Sequence, residues 1–389
     1  MNNKIEKWRA EIDAIDNELL SLLNKRARFA TEIGRVKQRE HAPLRYPDRE
    51  REVLARVCEL SQGPLREDSI KEIFKTIIDV SRRLQYSADI GAPIGCPKWN
   101  RVTIVGCGLI GGSFALALKH SGACRSIAGW DISGQTLQEA LYRRIIDEVD
   151  TSFADGAVSH SDLIYLAMPV SDIIDFLREC GMQVRTGSLV TDAGSTKVEI
   201  CRVAREYLRD DVVFVGGHPI AGSEHSGLAY SDGNLFRDAA YALIHEGEQN
   251  DQVGGLEETL GAIGAHVVVM TADIHDHLLT FTSHLPQLLS TTLAATLENA
   301  PHKDSLLAVS GKGLRDMTRL AGSSWHMWRD IVGTNQAQIA AALDVFTQKI
   351  GVVRRALGAL SEGNSNQMKE IEQIFKQAHC LARKDREES

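Results

Sequence analysis

The sequence predicts a multidomain chain: an all-α unit at 1–90, an α/β unit on a parallel sheet at 101–270, and a second all-α unit at 271–376. Three observations carry this. At 389 residues the chain is too long for one ordinary core. Its hydrophobic spacing is helical up to Gln85, becomes short apolar runs separated by helical stretches after residue 100, and turns helical again from about Thr271. Between the first two regimes, SADIGAPIGCPKWN (87–100) has the Gly/Pro content of an interdomain linker, whose core we set at 91–100.

In the first unit the apolar positions run Ile5, Trp8, Ile12, Ile15, Leu19, Leu22, then Phe29, Ile33 and Val36. Alternating spacings of three and four make a coiled-coil-like seam on one helix of about 35 residues. Pro43 and Pro47 end it; a second helix is expected over Asp48 to Ser61 and a third over Glu67 to Gln85. In the second unit, Arg101–Val105, Ser126–Trp130, Asp162–Ala167, Leu189–Thr191 and Val212–Val215 alternate with helical segments, the pattern of βαβ units. The third unit is carried by SHLPQLLSTTLAATLENA and DIVGTNQAQIAAALDVFTQKIGVVRRAL, and residues 377–389 read as a frayed tail.

Composition narrows the function. Apolar residues make up 43% and charged residues 25%, which is globular rather than disordered. The net charge of −8 argues against a nucleic-acid partner. No apolar stretch reaches the length of a membrane span, and MNNKIEKWRAEID lacks the basic-then-apolar order of a secretory leader. Seven scattered cysteines with no C-x-x-C pair fit reduced thiols, so a cytoplasmic protein without a metal site is expected. The charge is uneven: residues 1–90 hold 18 basic against 16 acidic residues, the rest 26 against 36. The first unit is therefore chemically separate.

Gly106-Cys-Gly108-Leu109-Ile110-Gly111 follows the RVTIV run directly and opens the helix GSFALALKHSG. Glycines are common in turns, but here a strand precedes, a helix follows, and Asp131 ends the next strand 25 residues beyond Gly106. Together these make a dinucleotide-binding Rossmann unit. Gly106 permits the tight turn, Gly108 lets the backbone approach a pyrophosphate, and Gly111 allows close helix packing. Amides at the helix N-terminus face the phosphates. A carboxylate at Asp131 accepts from a ribose 2′-hydroxyl and repels a 2′-phosphate, and residues 132–136 contain no Arg or Lys. NAD is expected rather than NADP.

Ligands of such sheets sit beyond the carboxyl ends of the strands. Two segments reach there with polar cargo: Thr191-Asp-Ala-Gly-Ser195-Thr-Lys197 and Val215-Gly-Gly-His218-Pro-Ile-Ala-Gly222. His218 is hemmed by Gly-Gly and Pro, and an unperturbed imidazole suits the base that a hydride-transfer site needs for the substrate proton. His284 either caps the helix after it or lines the site. Glu224 is either a site residue or a solvated loop carboxylate.

The segment GGHPIAGSEHSG around His218 and Glu224, with Asp192-Ala-Gly-Ser195, Ser283-His284-Leu-Pro286 and Gly-Leu-Arg-Asp-Met-Thr-Arg319, closely resembles the prephenate dehydrogenase family over about residues 100–350. The resemblance implies that His218 takes the proton from the C4 hydroxyl of prephenate as hydride passes to NAD, and that decarboxylation then gives 4-hydroxyphenylpyruvate. It further implies that Ser195 positions that hydroxyl and His218, and that Arg319, rather than neighbouring Arg315 or Arg329, holds a prephenate carboxylate. It makes the 271–376 unit a dimerisation and substrate domain.

In the N-terminal unit the seam is interrupted at Arg26, where the spacing from Leu22 demands an apolar residue. A buried guanidinium without a partner is costly, so either an anion binds there or the side chain reaches a carboxylate on a neighbouring helix. Lys37, eleven residues on, lies on almost the same face. Residues 1–90 resemble the all-helical chorismate mutase family, through Arg9 in WRAEIDAID, Arg26 and Lys37 in KRARFATEIGRVK, Arg49-Glu50 in DRERE, and Ser81 with Gln85 in SRRLQ. The resemblance implies that Arg9, Arg26 and Arg49, helped by Ser81, bind the two carboxylates of chorismate. It also implies that Lys37 and Gln85 donate to the ether oxygen and that Glu50 binds the ring hydroxyl. Where some members carry an aspartate just before the Arg-Glu pair, this chain has Tyr46. The product of such a site, prephenate, is the substrate of the second unit.

The expectation is therefore a bifunctional, homodimeric enzyme of tyrosine biosynthesis. One alternative is a prephenate or arogenate dehydrogenase carrying a non-catalytic helical module for dimerisation or regulation. Another is a dehydrogenase for a different small acid, such as a 3-hydroxy acid. The set Arg9, Arg26, Lys37, Arg49 and Gln85 argues against the first, and the histidine motif in place of a catalytic lysine argues against the second.

Overall fold

The computed structural model describes residues 2–39, 47–61, 63–71, 73–74, 76–78, 81, 97–150, 160–222, 225–245, 250–361 and 368–388. Helix α1 (Asn2–Arg39) is continuous, and α2 (Pro47–Leu60) follows. The third expected helix is seen as helical residues at 67–71, 73–74, 76–78 and 81 among the described residues. On α1 the seam lies open: Trp8 is 63% and Phe29 61% exposed, and Ile12, Ile15, Leu19, Leu22 and Ile33 are exposed as well. Nothing else described in this chain covers it.

The central unit is one eight-stranded sheet: β1 (Trp99–Val105), β2 (Cys124–Trp130), β3 (Glu148–Val149), β4 (Leu163–Leu166), β5 (Leu189–Asp192), β6 (Val213–Pro219), β7 (Ala240–Ile244) and β8 (His266–Met270). Their spatial order is β3-β2-β1-β4-β5-β6-β7-β8. The order reverses between β1 and β4, which places a ligand crevice outside their carboxyl ends. Helices α3 (Leu109–Ser121), α4 (Gly134–Tyr142), α5 (Val170–Cys180), α6 (Val198–Tyr207) and α7 (Asp251–Ala262) connect the strands. Each face of the sheet has its own core. Val102, Ile104, Phe114, Ile127 and Leu163 pack on one side, and Val105, Ile164, Ile173, Val190 and Ile200 on the other. Covering both faces is what lets these strands read as unbroken apolar runs.

Three expectations are corrected here. The sheet is mixed, since β7 runs antiparallel to β6 and parallel to β8. Among the described residues between β6 and β7 the helical element is one 3₁₀ turn, Leu228–Tyr230, and the antiparallel pair closes as a long hairpin. The first strand begins at Trp99, inside the expected linker, where Trp99 Nε1 donates to Thr259 Oγ1 at 3.0 Å on α7. The tail is not frayed: it belongs to a helix, Met368–Glu388, rich in strong helix formers and braced by an i,i+4 pair between Glu372 and Lys376.

The C-terminal unit is helical throughout. It comprises α8 (Ala272–Leu279), a π-turn (Thr280–His284), α9 (Leu285–Glu298), α10 (Lys303–Ala308), α11 (Lys312–Thr318), a 3₁₀ turn (Arg319–Gly322), α12 (Trp325–Thr334), α13 (Gln336–Ser361) and α14 (Met368–Glu388). Asp330 on α12 accepts from the Ser171 backbone at 3.0 Å and its hydroxyl at 2.6 Å, capping α5 from across the unit boundary. Among the described residues no helix is long and apolar enough to cross a membrane.

Candidate active sites

The glycines of the β1–α3 turn behave as their spacing predicts. Gly106 has φ +93°, and a Cβ there would lie 2.5 Å from the Ala167 carbonyl at the end of β4. A Cβ on Gly111 would meet the Gly106 carbonyl at 1.9 Å, so only glycine lets α3 start this close to β1. Gly108 is different: nothing lies within 4 Å of its missing Cβ, which leaves open space for a ligand. No side chain caps the α3 N-terminus, so the amides at Leu109, Ile110 and Gly111 are oriented for an anion. Asp131, at the end of β2, accepts from the Cys107 amide through Oδ2 and the Ser133 amide through Oδ1, both at 2.8 Å. The carboxylate therefore braces the phosphate turn, and each oxygen keeps acceptor capacity. Ile132 beside it is 94% exposed. The turn fits a dinucleotide.

Beyond the carboxyl ends of β5 and β6 the two polar segments meet. Asp192 and Lys197, both fully buried, form an ion pair, and the Lys197 ammonium also donates to the Gly217 carbonyl at 2.7 Å. Asp192 accepts from the amides of Gly194 at 2.8 Å and Gly217 at 3.1 Å. This lattice ties the Ser195 loop to the strand that carries His218. Thr196 Oγ1 lies 2.8 Å from Thr334 Oγ1, joining the same loop to α12. Ser195 is partly exposed between these anchors.

His218 is partly exposed, and its Nδ1 lies 2.9 Å from Nε2 of His275 on α8. Burial, then His275, Lys197 and His284, push the His218 imidazole well below its ordinary value, so it stands neutral. His284 does not cap α9 with its side chain. It is almost fully buried, edge-on to Trp328 at 5.9 Å, and burial holds it down to about 4. Asn335 Nδ2 lies 3.0 Å from the Asp276 carbonyl, which can only accept, so this atom is the amide donor. The same atom lies 3.2 Å from His284 Nδ1, which makes Nδ1 the acceptor and leaves Nε2–H as a donor.

Arg319 is exposed on its 3₁₀ turn. Gln287, two residues past Leu285, donates to the Leu320 carbonyl at 2.8 Å and accepts from Ser323 at 3.2 Å, fastening that turn to α9 just after His284. Glu224 lies outside the described residues. Lys197, Asp192, His275 and Asp276 are the contributors that pattern reading missed. The first two lie inside a quoted motif, but the buried pairing that gives them a purpose is tertiary.

In the N-terminal unit, Arg26 is half-buried, and its guanidinium donates to the Ser81 hydroxyl and, at 3.2 Å, to the Ile77 carbonyl. Ser81 is buried and donates to Ile77 at 2.7 Å. Among the described residues the acceptors that Arg26 meets are neutral, and burial lowers its basicity. Arg9 is exposed on the same helix; Lys37 falls farther along α1, and Arg49 and Glu50 fall on α2. Gln85 and Tyr46 lie outside the described residues.

Comparison with known proteins places each unit. The family model for the prephenate dehydrogenase nucleotide-binding domain matches residues 114–269, and that for the prephenate dehydrogenase dimerization domain matches residues 271–377. The chorismate mutase type II model matches residues 8–86. The prephenate dehydrogenase of Bacillus subtilis is 35% identical over 260 residues, 65% of this chain and 69% of that protein. The T-protein of Haemophilus influenzae is 24% identical over 345 residues, 86% of this chain and 83% of its own. The crystal structure of Aquifex aeolicus prephenate dehydrogenase with hydroxyphenyl propionate and NAD+ superposes with a TM-score of 0.65 at 29% identity. It covers 72% of this chain and 98% of that one. With both dehydrogenase models matched in succession and a relative 35% identical covered over 69% of its length, the chain belongs to the prephenate dehydrogenase family and carries a chorismate mutase type II domain ahead of it.

Proposed function

We propose that this chain catalyses two consecutive steps of tyrosine biosynthesis, the rearrangement of chorismate to prephenate and the NAD-dependent oxidative decarboxylation of prephenate to 4-hydroxyphenylpyruvate. The observation that carries the second step is a histidine held neutral at the carboxyl end of β6, in the same sheet as an open dinucleotide turn.

The first reaction is a unimolecular pericyclic rearrangement, so its site needs no nucleophile. It needs cations that hold the compact conformer and stabilise charge growing on the ether oxygen. Arg9, Arg26 and Arg49 take the carboxylates, with Ser81 orienting Arg26. Lys37 and Gln85 donate to the ether oxygen, and Glu50 accepts from the ring hydroxyl.

For the second reaction, the amides of residues 109–111 would hold the pyrophosphate of NAD and Asp131 its ribose. NAD, when bound there, supplies the hydride acceptor. His218 takes the C4 hydroxyl proton, Ser195 orients that hydroxyl, and Arg319 holds a carboxylate. His284 serves the substrate as a donor through Nε2–H, and Glu224 binds substrate. The ring carboxylate leaves as carbon dioxide, and its bonding pair restores aromaticity. The charge arrives on the C4 oxygen, which takes back the proton held by His218 to give the phenol. The reading also makes the protein a cytoplasmic homodimer without a nucleic-acid partner.

Steady-state assays with chorismate, prephenate and arogenate, each with NAD and NADP, test the assignment. Turnover of chorismate without cofactor and of prephenate with NAD is expected; absence of either removes that half. A paired change, Asp131→Ala with Ile132→Arg, should move the ratio of NADP to NAD use upward, because it removes the 2′-phosphate repulsion and adds a cation. If the unaltered protein used NADP as well as NAD, this role for Asp131 would be wrong.

A further inference from the structure

We propose that His275 and Asp276 are positioning residues that fix which nitrogen of His218 is the base and that bear part of the charge when His218 takes the proton. The proposal rests on His218 being that base. The three side chains form a line from the protein interior to the site: Asp276 Oδ1 to His275 Nδ1 at 2.8 Å, and His275 Nε2 to His218 Nδ1 at 2.9 Å. His275 and Asp276 are buried to within a percent.

The direction of the hydrogens follows from the inner end. Asp276 Oδ1 accepts from the Lys197 amide at 2.7 Å and Oδ2 from the Val198 amide at 2.9 Å, at the N-terminus of α6, where the helix dipole favours an anion. Both oxygens act as acceptors, so the hydrogen shared with His275 sits on His275 Nδ1. A neutral imidazole then has its lone pair on Nε2, and the hydrogen between the two rings must sit on His218 Nδ1. His218 Nε2 is left bare. The opposite tautomer would set two lone pairs against each other at 2.9 Å and turn an N–H toward the substrate hydroxyl.

When the C4 hydroxyl gives its proton to His218 Nε2, the imidazolium keeps its Nδ1–H bond to His275, and His275 keeps its own to Asp276. No second proton has to move. The carboxylate stabilises the cation from one ring away, so it does not raise His218 as a direct partner would. The other groups facing His218 are Lys197, whose charge is matched by Asp192, and His284. Both oppose the cation, which leaves the Asp276–His275 arm as its support.

Three variants of the full chain test this. His275→Gln keeps an acceptor for His218 Nδ1–H, whereas His275→Leu removes it. With prephenate and NAD, His275→Leu should lower kcat roughly 10²-fold, the scale of one general-base contribution, and His275→Gln should restore most of that loss. KM for NAD should stay within about twofold in both. Asp276→Asn should lower kcat and shift the acid limb of kcat/KM to lower pH, because removing the anion makes the imidazolium less stable. Circular dichroism and thermal melting of the same preparations report folding of the chain. If His275→Leu fails to fold, His275→Gln and the Asp276→Asn pH profile decide. The relay is overturned if His275→Leu keeps its kcat. It is equally overturned if Leu and Gln lose activity alike while KM for NAD rises, or if the acid limb of Asp276→Asn stays put. Full activity in His218→Asn would instead overturn the base assignment itself.

Discussion

Chains carrying His218→Asn are expected to lose reduction of NAD by prephenate while consuming chorismate at nearly the unaltered rate. His218 lies on β6, in a unit separate from the arginine-bearing helices, and its role is confined to one proton. Removing a general base costs roughly 10²–10⁴-fold. Asparagine keeps similar bulk and a hydrogen-bonding group near His275, so binding of NAD at the β1–α3 turn should persist. The pH profile carries a second expectation. His218 works in its neutral form, and burial with its cationic and histidine neighbours depresses its folded value. Activity should therefore hold through mildly acidic pH and fall only as protonation sets in below the ordinary histidine value of about 6.5. An acid limb centred above that value, or an asparagine variant that keeps its dehydrogenase rate, would contradict the assignment.

The second large effect concerns subunit sharing in the mutase unit. Arg9 and Arg26 lie 17 residues apart on one unbroken helix, which separates their backbones by roughly 25 Å. Chorismate, one ring with a short side chain, cannot bridge that span. If both arginines serve the reaction, Arg9 must act on a site that contains its partner's Arg26 equivalent, in a two-fold dimer with the long helices antiparallel. The open seam from Trp8 to Ile33 gives such a dimer its contact surface. Arg9→Ala and Arg26→Ala chains should each be nearly inactive on chorismate. Mixed and re-paired at random, they should recover roughly a quarter of the sites, because each heterodimer holds one doubly altered site and one intact site. No recovery, with heterodimers shown to form, would rule out the shared site.

Much of this was legible in the sequence, and the gaps have physical causes. The glycine turn was readable because its constraints are local: a positive φ at Gly106 and no room for a Cβ at Gly111 follow from residues close in sequence. The long helix was readable from its seam, which also announced that something must cover it. β7 and β8 escaped because ALI and HVVVM are too short to separate from buried helix by spacing alone, and their direction depends on a loop without a repeating pattern. The tail looked frayed because it is polar, but polar helix formers with i,i+4 pairs are enough to extend a helix. His275 could not have been chosen from thirteen histidines. Its meaning comes from a contact with His218, 57 residues earlier in the chain.

One polypeptide is expected to run both reactions in order. The most direct measurement supplies the purified chain with chorismate and NAD alone, and follows chorismate, prephenate, NADH and 4-hydroxyphenylpyruvate over time. Prephenate is expected to rise and fall as a transient, and NADH and 4-hydroxyphenylpyruvate to appear after a lag in equal amounts, matching the chorismate consumed. Chorismate left untouched while added prephenate is oxidised, or prephenate accumulating with no NADH, would contradict it.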